Sequence, residues 1–362
     1  MPGEQTAALG AKFLDYDVVS LLGKGGMSEV YLVRKEDKCY ALKILSPDLA
    51  RTNPEYVKRF EREARIAMRL RHPNLVAVHD VGYDREFGRH YLVMDYIDGY
   101  DLRSAIALGG AMEPNTAVGV VAAVASVLEA GEGLGLVHRD IKPENIMIEN
   151  DGTVKLLDLG VAKSRGTDSL NTMQHTVFGT PNYISPEQAQ DASNVDSRAD
   201  VYSLGVVFYE MLSGKRPYEC DKPGEVLAKL LSPEELPDVR GKNPAVPEKL
   251  AAVLRLMLAK DPSKRIESAS KLLSVLKMLG YGAPERPVVK SGPRSTVQPD
   301  FRYSSYSSAE ANHTLSFDTK DKEIQAFVAS LKARRRNGRI IRWTVILLAV
   351  LLVVVVAAKL VL

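Results

Sequence analysis

The sequence predicts an α+β protein that ends in one transmembrane helix. Short apolar runs typical of strands lie in the N-terminal part, as at 16–22 and 30–33. Apolar residues at helical spacing follow later, as at 200–212. Residues 343–358 carry no charge and, with 360–362, are long enough to span a bilayer core of about 30 Å. These observations predict a strand-rich part, a helical part and a membrane segment, in that order.

Composition is consistent with this organisation. The chain has 362 residues, which corresponds to about two domains at about 150 residues each. Its net charge of +3 is too near neutral to indicate a nucleic-acid partner. Cys39 and Cys220 are expected at the surface of different parts of the molecule, so neither a disulfide nor a metal site is predicted from them.

A glycine-rich turn joins the first two predicted strands. Glycine lets backbone N–H groups approach phosphate oxygens because no Cβ stands in the way. An ordinary hairpin turn is the alternative interpretation. The candidate phosphate-covering residues, with the strand residues on either side of the turn, are Leu22, Gly23, Lys24, Gly25, Gly26, Met27, Ser28, Glu29 and Val30.

A lysine within the next strand-like run requires a partner. Lys43 is surrounded by apolar residues, and burying an unpaired ammonium group is costly. The segment 55–70 follows with helical apolar spacing and carries both Glu61 and Glu63. Either glutamate could supply the partner, and an exposed charge pair one helical turn apart is the alternative interpretation.

Residues 138–145, with the sequence His-Arg-Asp-Ile-Lys-Pro-Glu-Asn, place an acid, a lysine and an amide in one short loop. Phosphoryl transfer requires a carboxylate at the attacking hydroxyl, while cations and metal ligands hold the phosphates. Asp140 can accept the hydroxyl proton, and Lys142 can neutralise charge on the transferring group. Asn145 can ligate a metal ion. Turn formation is the alternative for an Asp and an Asn in a polar loop.

The motifs, taken in order, resemble those of the protein kinases. The chain has counterparts of the G-x-G-x-x-G-x-V turn, the V-A-I-K strand, the H-R-D-L-x-x-x-N loop, and the D-F-G and A-P-E segments. The last two counterparts are 158–160 and 185–187. The lysine at position 142 resembles the serine/threonine branch of the family, and the sequences of 60–64 and 185–189 resemble the bacterial branch. The resemblance covers roughly residues 13–280 and implies a bilobal protein kinase fold, with a small β-rich N-lobe and a large, mainly helical C-lobe.

The resemblance implies a non-specific serine/threonine protein kinase that uses ATP and Mg²⁺, with Mn²⁺ as a second candidate ion. It implies Asp140 as the base and Lys142 as the group that stabilises charge. Asn145 and Asp158 would hold the metal ion.

The nucleotide site is also assigned by resemblance. Lys43 would hold the phosphates and pair with Glu63, the favoured partner of the two glutamates. Met94 would stand at the back of the adenine slot, and the backbone of Asp95 and Ile97 would form hydrogen bonds to adenine. Leu22 and Val30 would flank the adenine, and the remaining residues assigned to the slot are Ala41 and Met147.

The polar loop before residue 185 resembles an activation loop. Arg139 could pair with a phosphate on this loop, since arginine binds phosphate with two hydrogen bonds. Thr172 and Thr176 are the hypothesised autophosphorylation sites, and Thr180 resembles the threonine that contacts the catalytic loop.

Three further residues have structural roles by resemblance. Glu187 is expected to pair with Arg265, and Asp200 is expected to support the catalytic loop from below.

The C-terminal part predicts attachment to a membrane. A Ser-, Pro- and Arg-rich stretch is typical of a flexible linker, and basic residues precede the apolar span. The amphipathic segment before that span could lie on lipid, pair with another copy, or form an exposed stalk. The expected divisions are a tail at 1–12, a kinase domain at 13–281, a linker at 282–319, a basic juxtamembrane segment at 320–339 and a transmembrane helix at 340–362.

The positive-inside rule places the catalytic domain in the cytoplasm, with the anchor in what is expected to be a bacterial cell membrane. The N-terminus lacks the pattern of a signal peptide. The expected partners are ATP, proteins carrying serine or threonine, the lipid bilayer and a second copy of the chain in a homodimer. No nucleic acid is expected.

Two departures from the kinase pattern leave a second function open. Ser28 replaces the third glycine, and Leu159 replaces the phenylalanine of D-F-G. A nucleotide-binding pseudokinase that acts as a membrane scaffold is therefore the alternative. A small-molecule kinase is disfavoured because 185–187 and Thr180 resemble a platform for protein substrates.

Overall fold

The computed structural model describes residues 12–25, 27–157, 181–191, 195–220 and 222–281, with the side chain of Glu63 left out. Its N-terminal lobe contains one antiparallel sheet with strand order β1-β2-β3-β4-β6-β5. The strands are β1 Lys12–Phe13, β2 Tyr16–Lys24, β3 Ser28–Lys35, β4 Lys38–Leu45, β5 Val78–Asp84 and β6 Arg89–Asp95. Strands at 16–22 and 30–33 were predicted, so this part of the sequence prediction is confirmed.

The sheet has an apolar cluster on each face, because successive side chains of a strand point to opposite sides. Val93 belongs to the cluster that contains Phe13 and Tyr31. Its neighbours Leu92 and Met94 belong to the cluster on the other face. Both faces are therefore covered, and the second cluster turns toward the C-terminal lobe.

Helix α2, Pro54–Arg69, packs against this second face after the short helix α1, Pro47–Thr52. The side chain of Asn53 accepts a hydrogen bond from the backbone N–H of Tyr56, and Pro54 occupies the first turn, where its missing N–H costs nothing. Phe60 and Ala64 are buried in the cluster. Burial of one such aromatic side chain contributes about 2–3 kcal/mol, so the apolar face fixes the helix on the sheet.

The C-terminal lobe is built around two apolar helices, α4 (Pro114–Glu132) and α6 (Arg198–Ser213). Within the described ranges, α4 is the one helix whose length and composition would suit a bilayer. Val120, Val121 and Val124 are fully buried in the core of the lobe. A helix that is apolar all round belongs in a core, and α4 is therefore the centre of the lobe. The helix predicted at 340–362 lies outside the described residues.

Shorter elements surround these two helices. A small sheet of β7 (Gly99–Asp101), β8 (Ile146–Glu149) and β9 (Val154–Leu156) lies between the lobes. The remaining α-helices of the described residues are α3 Leu102–Gly109, α5 Pro186–Gln190, α7 Pro223–Leu231, α8 Glu248–Met257 and α9 Ala269–Met278. The predicted helices 55–70 and 200–212 are confirmed as α2 and α6, each within a few residues.

The expectation that both cysteines lie at the surface is half wrong. Cys39 is exposed on β4, but Cys220 is buried with 9% of its surface accessible. A thiol behaves as a small apolar group, and Cys220 fills space in the lower lobe as one. Both cysteines are free, as expected.

We predict that Gly99→Ala destabilises the chain by about 1–3 kcal/mol or more, the usual cost of overpacking. A Cβ at Gly99 would stand 2.1 Å from the backbone oxygen of Ile148 and 2.8 Å from Cα of Glu149, so β7 and β8 would have to separate. Gly109→Ala is the control, since no atom lies within 4 Å of its Cβ position. Urea unfolding measures both variants. Equal stability of the two would contradict the prediction.

Candidate active site

Asp140 is held by two side chains of its own loop. Nζ of Lys142 lies 3.2 Å from Oδ2 of Asp140, and both side chains are largely buried. Nδ2 of Asn145 donates to the backbone oxygen of Asp140 at 2.9 Å and to its Oδ2 at 3.2 Å. The sequence therefore folds so that the acid, the lysine and the amide converge, as the spacing in 138–145 predicted.

Asn145 is also placed to bind a cation. Because Nδ2 donates to Asp140, the amide oxygen is the atom left to face a metal ion, and amide oxygens suit Mg²⁺. The backbone N–H of Leu157 donates to the backbone oxygen of Asn145 at 2.9 Å, which brings the end of β9 beside the loop. Asp158 follows Leu157 in sequence but lies outside the described residues. Among the residues that are described, no three His, Cys, Asp or Glu side chains cluster as a metal site.

The loop rests on Asp200 of α6, as predicted. Its Oδ2 accepts the backbone N–H of His138 at 2.7 Å, and its Oδ1 accepts that of Arg139 at 2.7 Å. Arg139 has a φ of 65°, a strained conformation that costs on the order of 1–3 kcal/mol for a non-glycine residue. Burial raises the pKa of Asp200 to about 7, although these two hydrogen bonds act in the opposite direction. The buried carboxyl therefore fixes a strained backbone next to Asp140.

Arg139 itself is buried, and its Nη2 donates to the backbone oxygen of Val195 at 3.3 Å. Its predicted partner, a phosphate on the activation loop, falls outside the described residues, as do Thr172, Thr176 and Thr180. Gln188 of α5 donates through Nε2 to the backbone oxygen of Arg139 at 3.2 Å. The segment after the activation loop is thus tied directly to the catalytic loop.

One apolar cluster, which we call the apolar slot, contains residues of both lobes. The residues that the sequence assigned to adenine come together there, since Val30 and Ala41 of the sheet share one cluster with Met147 of β8. The members of this cluster near the cleft are Leu22, Val30, Ala41, Met94, Ile97, Met147 and Leu157. Apolar walls contributed by both lobes suit a flat, largely apolar ring.

Residues 95–97, which were predicted to form backbone hydrogen bonds to adenine and which we call the hinge, join this slot through Ile97. The backbone N–H of Asp95 donates to the oxygen of Ala77 at 2.9 Å. The Asp95 carboxylate lies 2.7 Å from Nε2 of His79 and 3.7 Å from Nζ of Lys38. Ile97 is buried in the slot, with 2% of its surface exposed. These contacts anchor the chain on either side of the hinge.

The glycine-rich hairpin lies above the slot. Gly23 pairs with Val30 and Lys24 pairs with Glu29, and Nζ of Lys24 lies 3.4 Å from Oε1 of Glu29. The N–H of Gly25 donates to the oxygen of Ser28 at 2.8 Å. Gly26 lies outside the described residues.

The two ends of the turn are held by ordinary strand contacts. Ser46 donates its N–H to the oxygen of Met27 at 2.9 Å. Ser28 begins β3 and pairs with Leu45 in the regular register. The replacement of the third glycine by serine therefore falls at a position where the backbone is an extended strand.

Lys43 lies in the middle of the sheet, paired with Val30 on one side and Leu92 on the other. Oε1 of Glu61 lies 3.3 Å from Nδ1 of His90. Oε2 of the same residue lies 3.7 Å from Arg65. Glu61 is therefore engaged elsewhere, and Glu63, whose backbone lies in α2, stays the predicted partner of Lys43.

The predicted ion pair of the lower lobe is confirmed. Nη1 and Nη2 of Arg265 donate to Oε1 and Oε2 of Glu187 at 2.6 and 3.1 Å. Two parallel hydrogen bonds fix the geometry as well as the charge. The start of α5 is thereby held to the base of the lobe.

One buried cluster was missed by the sequence analysis. Arg103 of α3 contacts Glu144 of the catalytic loop, Glu210 of α6 and Tyr183. The sequence did carry a signal for a buried charge, because Glu210 stands within a mainly apolar helix. In the structure its side chain is almost fully buried. A buried carboxylate requires a cation or several donors, and the sequence alone did not indicate which cation supplies it.

Comparison with known proteins finds a family whose model matches most of this chain. Residues 16–275 match the family model described as a protein kinase domain. Serine/threonine-protein kinase PrkC of Bacillus subtilis is 31% identical over 94% of this chain and 51% of its own length. Serine/threonine-protein kinase PknB of Mycolicibacterium smegmatis is 36% identical over 95% of this chain and 54% of its own length. The chain thus spans about half the length of these curated relatives.

A solved structure is similar over the described lobes. The crystal structure of the Mycobacterium tuberculosis PknI kinase domain has 30% sequence identity and a TM-score of 0.58. The match covers 74% of this chain and 98% of the solved one. The bilobal fold that the motifs predicted is therefore confirmed.

We predict that Asp200 makes the free energy of unfolding depend on pH in a way that Asp200→Asn removes. Since the pKa of Asp200 is raised from 3.8 to about 7, the folded chain holds a proton that the unfolded chain releases between these values. This contribution to stability is present below the lower value and is lost as the pH rises through the higher one. Urea unfolding between about pH 5 and about pH 8 should show the wild type losing stability relative to the variant. A constant difference would contradict the prediction.

Proposed function

This chain belongs to the protein kinase family, and we propose that it transfers the γ-phosphate of ATP to serine and threonine hydroxyls of proteins. The observation that carries the proposal is the convergence of Lys142 and Asn145 on Oδ2 of Asp140, both at 3.2 Å. An acid held by a cation and an amide is fixed in orientation before a substrate arrives. Such preorganisation is the main contribution that a protein makes to phosphoryl transfer.

The proposed reaction breaks one bond and forms another. The substrate hydroxyl oxygen attacks the γ-phosphorus, the bond to the β-phosphate oxygen breaks, and ADP leaves with that electron pair. Asp140 accepts the hydroxyl proton, and Lys142 balances the negative charge that the transferred group carries. Both side chains are largely shielded from water, which strengthens these interactions.

The residues of the cleft fit the nucleotide. Its adenine suits the apolar slot, while Lys43 and the N–H groups of the glycine-rich hairpin suit its phosphates. We assign the metal ligands to Asn145 and Asp158. Mg²⁺, when bound there, supplies positive charge that offsets the charge of the phosphates.

The pseudokinase alternative is not favoured by this arrangement. Ser28 lies in a regular strand register, so its backbone does not require glycine. Asp140, Lys142 and Asn145 are all present and in contact. A scaffold without turnover has no need to hold these three groups together. The other departure, Leu159, lies outside the described residues.

The proposal extends to the membrane and to autophosphorylation. The uncharged span after Trp343 and the basic residues before it support a single-pass anchor with the catalytic lobes in the cytoplasm. Anchored copies meet at a high effective concentration, which favours phosphorylation of one copy by another at Thr172 and Thr176. A transient homodimer follows from this arrangement.

We predict that Asp140→Asn lowers phosphate transfer to a generic protein such as casein by about 10²- to 10⁴-fold, the usual contribution of a general base. The amide cannot take the hydroxyl proton but keeps the size of the side chain. Transfer of labelled phosphate from ATP with Mg²⁺ measures the loss. Asp37→Asn, the same change at an exposed turn, is the control and should keep full activity.

Mapping the label completes this experiment. Phosphate on serine and threonine of casein, and on Thr172 or Thr176 of the wild type, is the expected pattern. Equal transfer by Asp140→Asn and the wild type would exclude the proposed base. Absence of transfer by the wild type in vesicles would favour the scaffold.

A second prediction concerns the anchor. The full chain should stay with membranes after an alkaline carbonate wash, whereas a chain ending at residue 339 should be released, because it lacks the apolar span. Sedimentation of washed membranes measures this. Retention of the shortened chain, or release of the full chain, would contradict single-pass anchoring.

A further inference from the structure

Arg103 connects three elements around the catalytic loop. Its Nε donates to Oε1 of Glu144 at 3.0 Å, and its Nη1 donates to Oε1 of Glu210 at 2.6 Å. Its Nη2 donates to the hydroxyl oxygen of Tyr183. A guanidinium group has donors arranged in a rigid fork, and here each arm of the fork reaches a different part of the chain. The three N–H donors of a lysine all stand on one nitrogen, so a lysine could not reach the three groups that Nε, Nη1 and Nη2 of Arg103 contact.

The fourth contact closes the cluster. The Tyr183 hydroxyl donates to Oε2 of Glu210 at 2.6 Å, so each of these two residues is bonded to both the other and Arg103. Burial and the neighbouring Glu210 raise the pKa of Tyr183 well above its ordinary value, so the hydroxyl keeps the proton that it donates. Arg103, Tyr183 and Glu210 form a closed ring of charge-assisted hydrogen bonds, in which Glu210 is almost fully buried and Arg103 is partly exposed.

The cluster reaches the chemistry through Glu144. This residue lies in the 3₁₀ turn Pro143–Asn145, between Lys142 and Asn145. Both of those neighbours contact Asp140. These contacts of the lysine and the amide thus run to Asp140, while Arg103 holds the Glu144 side chain of the same turn.

At its other end, the cluster reaches the segment after the activation loop. Tyr183 lies two residues before Ser185, the N-cap of α5. Gln188 in the same helix donates to the oxygen of Arg139. The described contacts of Arg103 are in the C-terminal lobe, and the residues they involve are not members of the apolar slot. The cluster is thus placed to align a protein substrate, while the nucleotide slot is built from other residues.

We propose that Arg103 is a positioning residue for the phosphoryl acceptor, holding the segment 181–185 in register with Asp140. This inference rests on the proposed kinase function. Loss of Arg103 disturbs the alignment of a peptide hydroxyl with the acid and leaves the nucleotide site intact. Water needs no alignment by this segment, so slow hydrolysis of ATP without peptide should be preserved.

The test compares two reactions of the same full-length protein in detergent. Arg103→Met keeps a long side chain but removes the fork, and Arg103→Lys keeps one charge. The expected result for Arg103→Met is a fall of about 10- to 100-fold in kcat/KM for peptide phosphorylation, the scale expected for misplacement of a reacting group. Its KM for ATP and its peptide-independent ATP hydrolysis should stay within about threefold of the wild type. Arg103→Lys should recover part of the peptide activity.

Two further variants separate positioning from folding. Arg255→Met is the matched control, because Arg255 bonds Asp238 and Glu248 at the exposed surface of the same lobe. It should leave both reactions unchanged. Tyr183→Phe removes the hydroxyl but keeps the ion pairs of Arg103. Tyr183→Phe should lower kcat/KM for peptide phosphorylation by a smaller factor than Arg103→Met. If Arg103→Met does not fold, this variant tests the inference in its place.

The outcomes are distinguishable. A parallel fall of ATP hydrolysis and peptide phosphorylation in Arg103→Met or Tyr183→Phe would overturn the inference, and so would no change in either reaction in a folded variant. A wild type that transfers no phosphate would overturn the proposed function itself. A selective loss of peptide phosphorylation supports both.

Discussion

The carboxyl of Asp200 is the group on which the rest of the site depends. It lies inside the lower lobe and accepts two neighbouring backbone N–H groups of the catalytic loop, each at 2.7 Å. Buried N–H groups without acceptors would each cost about 1–3 kcal/mol, and Arg139 would have no reason to keep its strained φ. Helix α6 is held in the core of the lobe, since residues 199–212 are all buried. The core of the lobe therefore sets the position of Asp140, because the Asp200 side chain connects helix α6 to the catalytic loop.

Charged groups in the lower lobe follow the same logic. Arg265 fixes Glu187 at the start of α5, and Arg103 fixes Glu144 and Glu210 next to the catalytic loop. Each arginine joins segments that are distant in sequence and that apolar packing alone would leave free to slide. Such pairs add little net stability but exclude alternative arrangements, since a shifted segment would leave a charge buried without a partner. Geometry at the site is thus specified by polar contacts and supported by apolar ones.

The sequence predicted much of this arrangement because several motifs carry their own chemistry. The pairing of Glu187 with Arg265 and the support by Asp200 were both expected from the resemblance to protein kinases and are present. The role of Arg103 was not predicted, because its partners are 41, 80 and 107 residues away and share no spacing rule. The burial of Cys220 was missed for a similar reason, since burial of one small residue depends on packing between distant segments. Local chemistry can be read from a chain, whereas long-range partners require either a known family pattern or the fold.

The apolar slot has one more consequence. Its walls come from both lobes, with Val30 and Ala41 on one side and Met147 and Leu157 on the other. An adenine ring placed there would complete an interior that the chain builds only in part, much as a missing side chain completes a core. Binding of a nucleotide would then be coupled to the approach of the two lobes. The state in which both lobes contact the nucleotide would gain stability as the nucleotide concentration rises, by mass action. With adenine bound there as proposed, the concentration of ATP would help to determine how the two lobes are held together as well as supply phosphate.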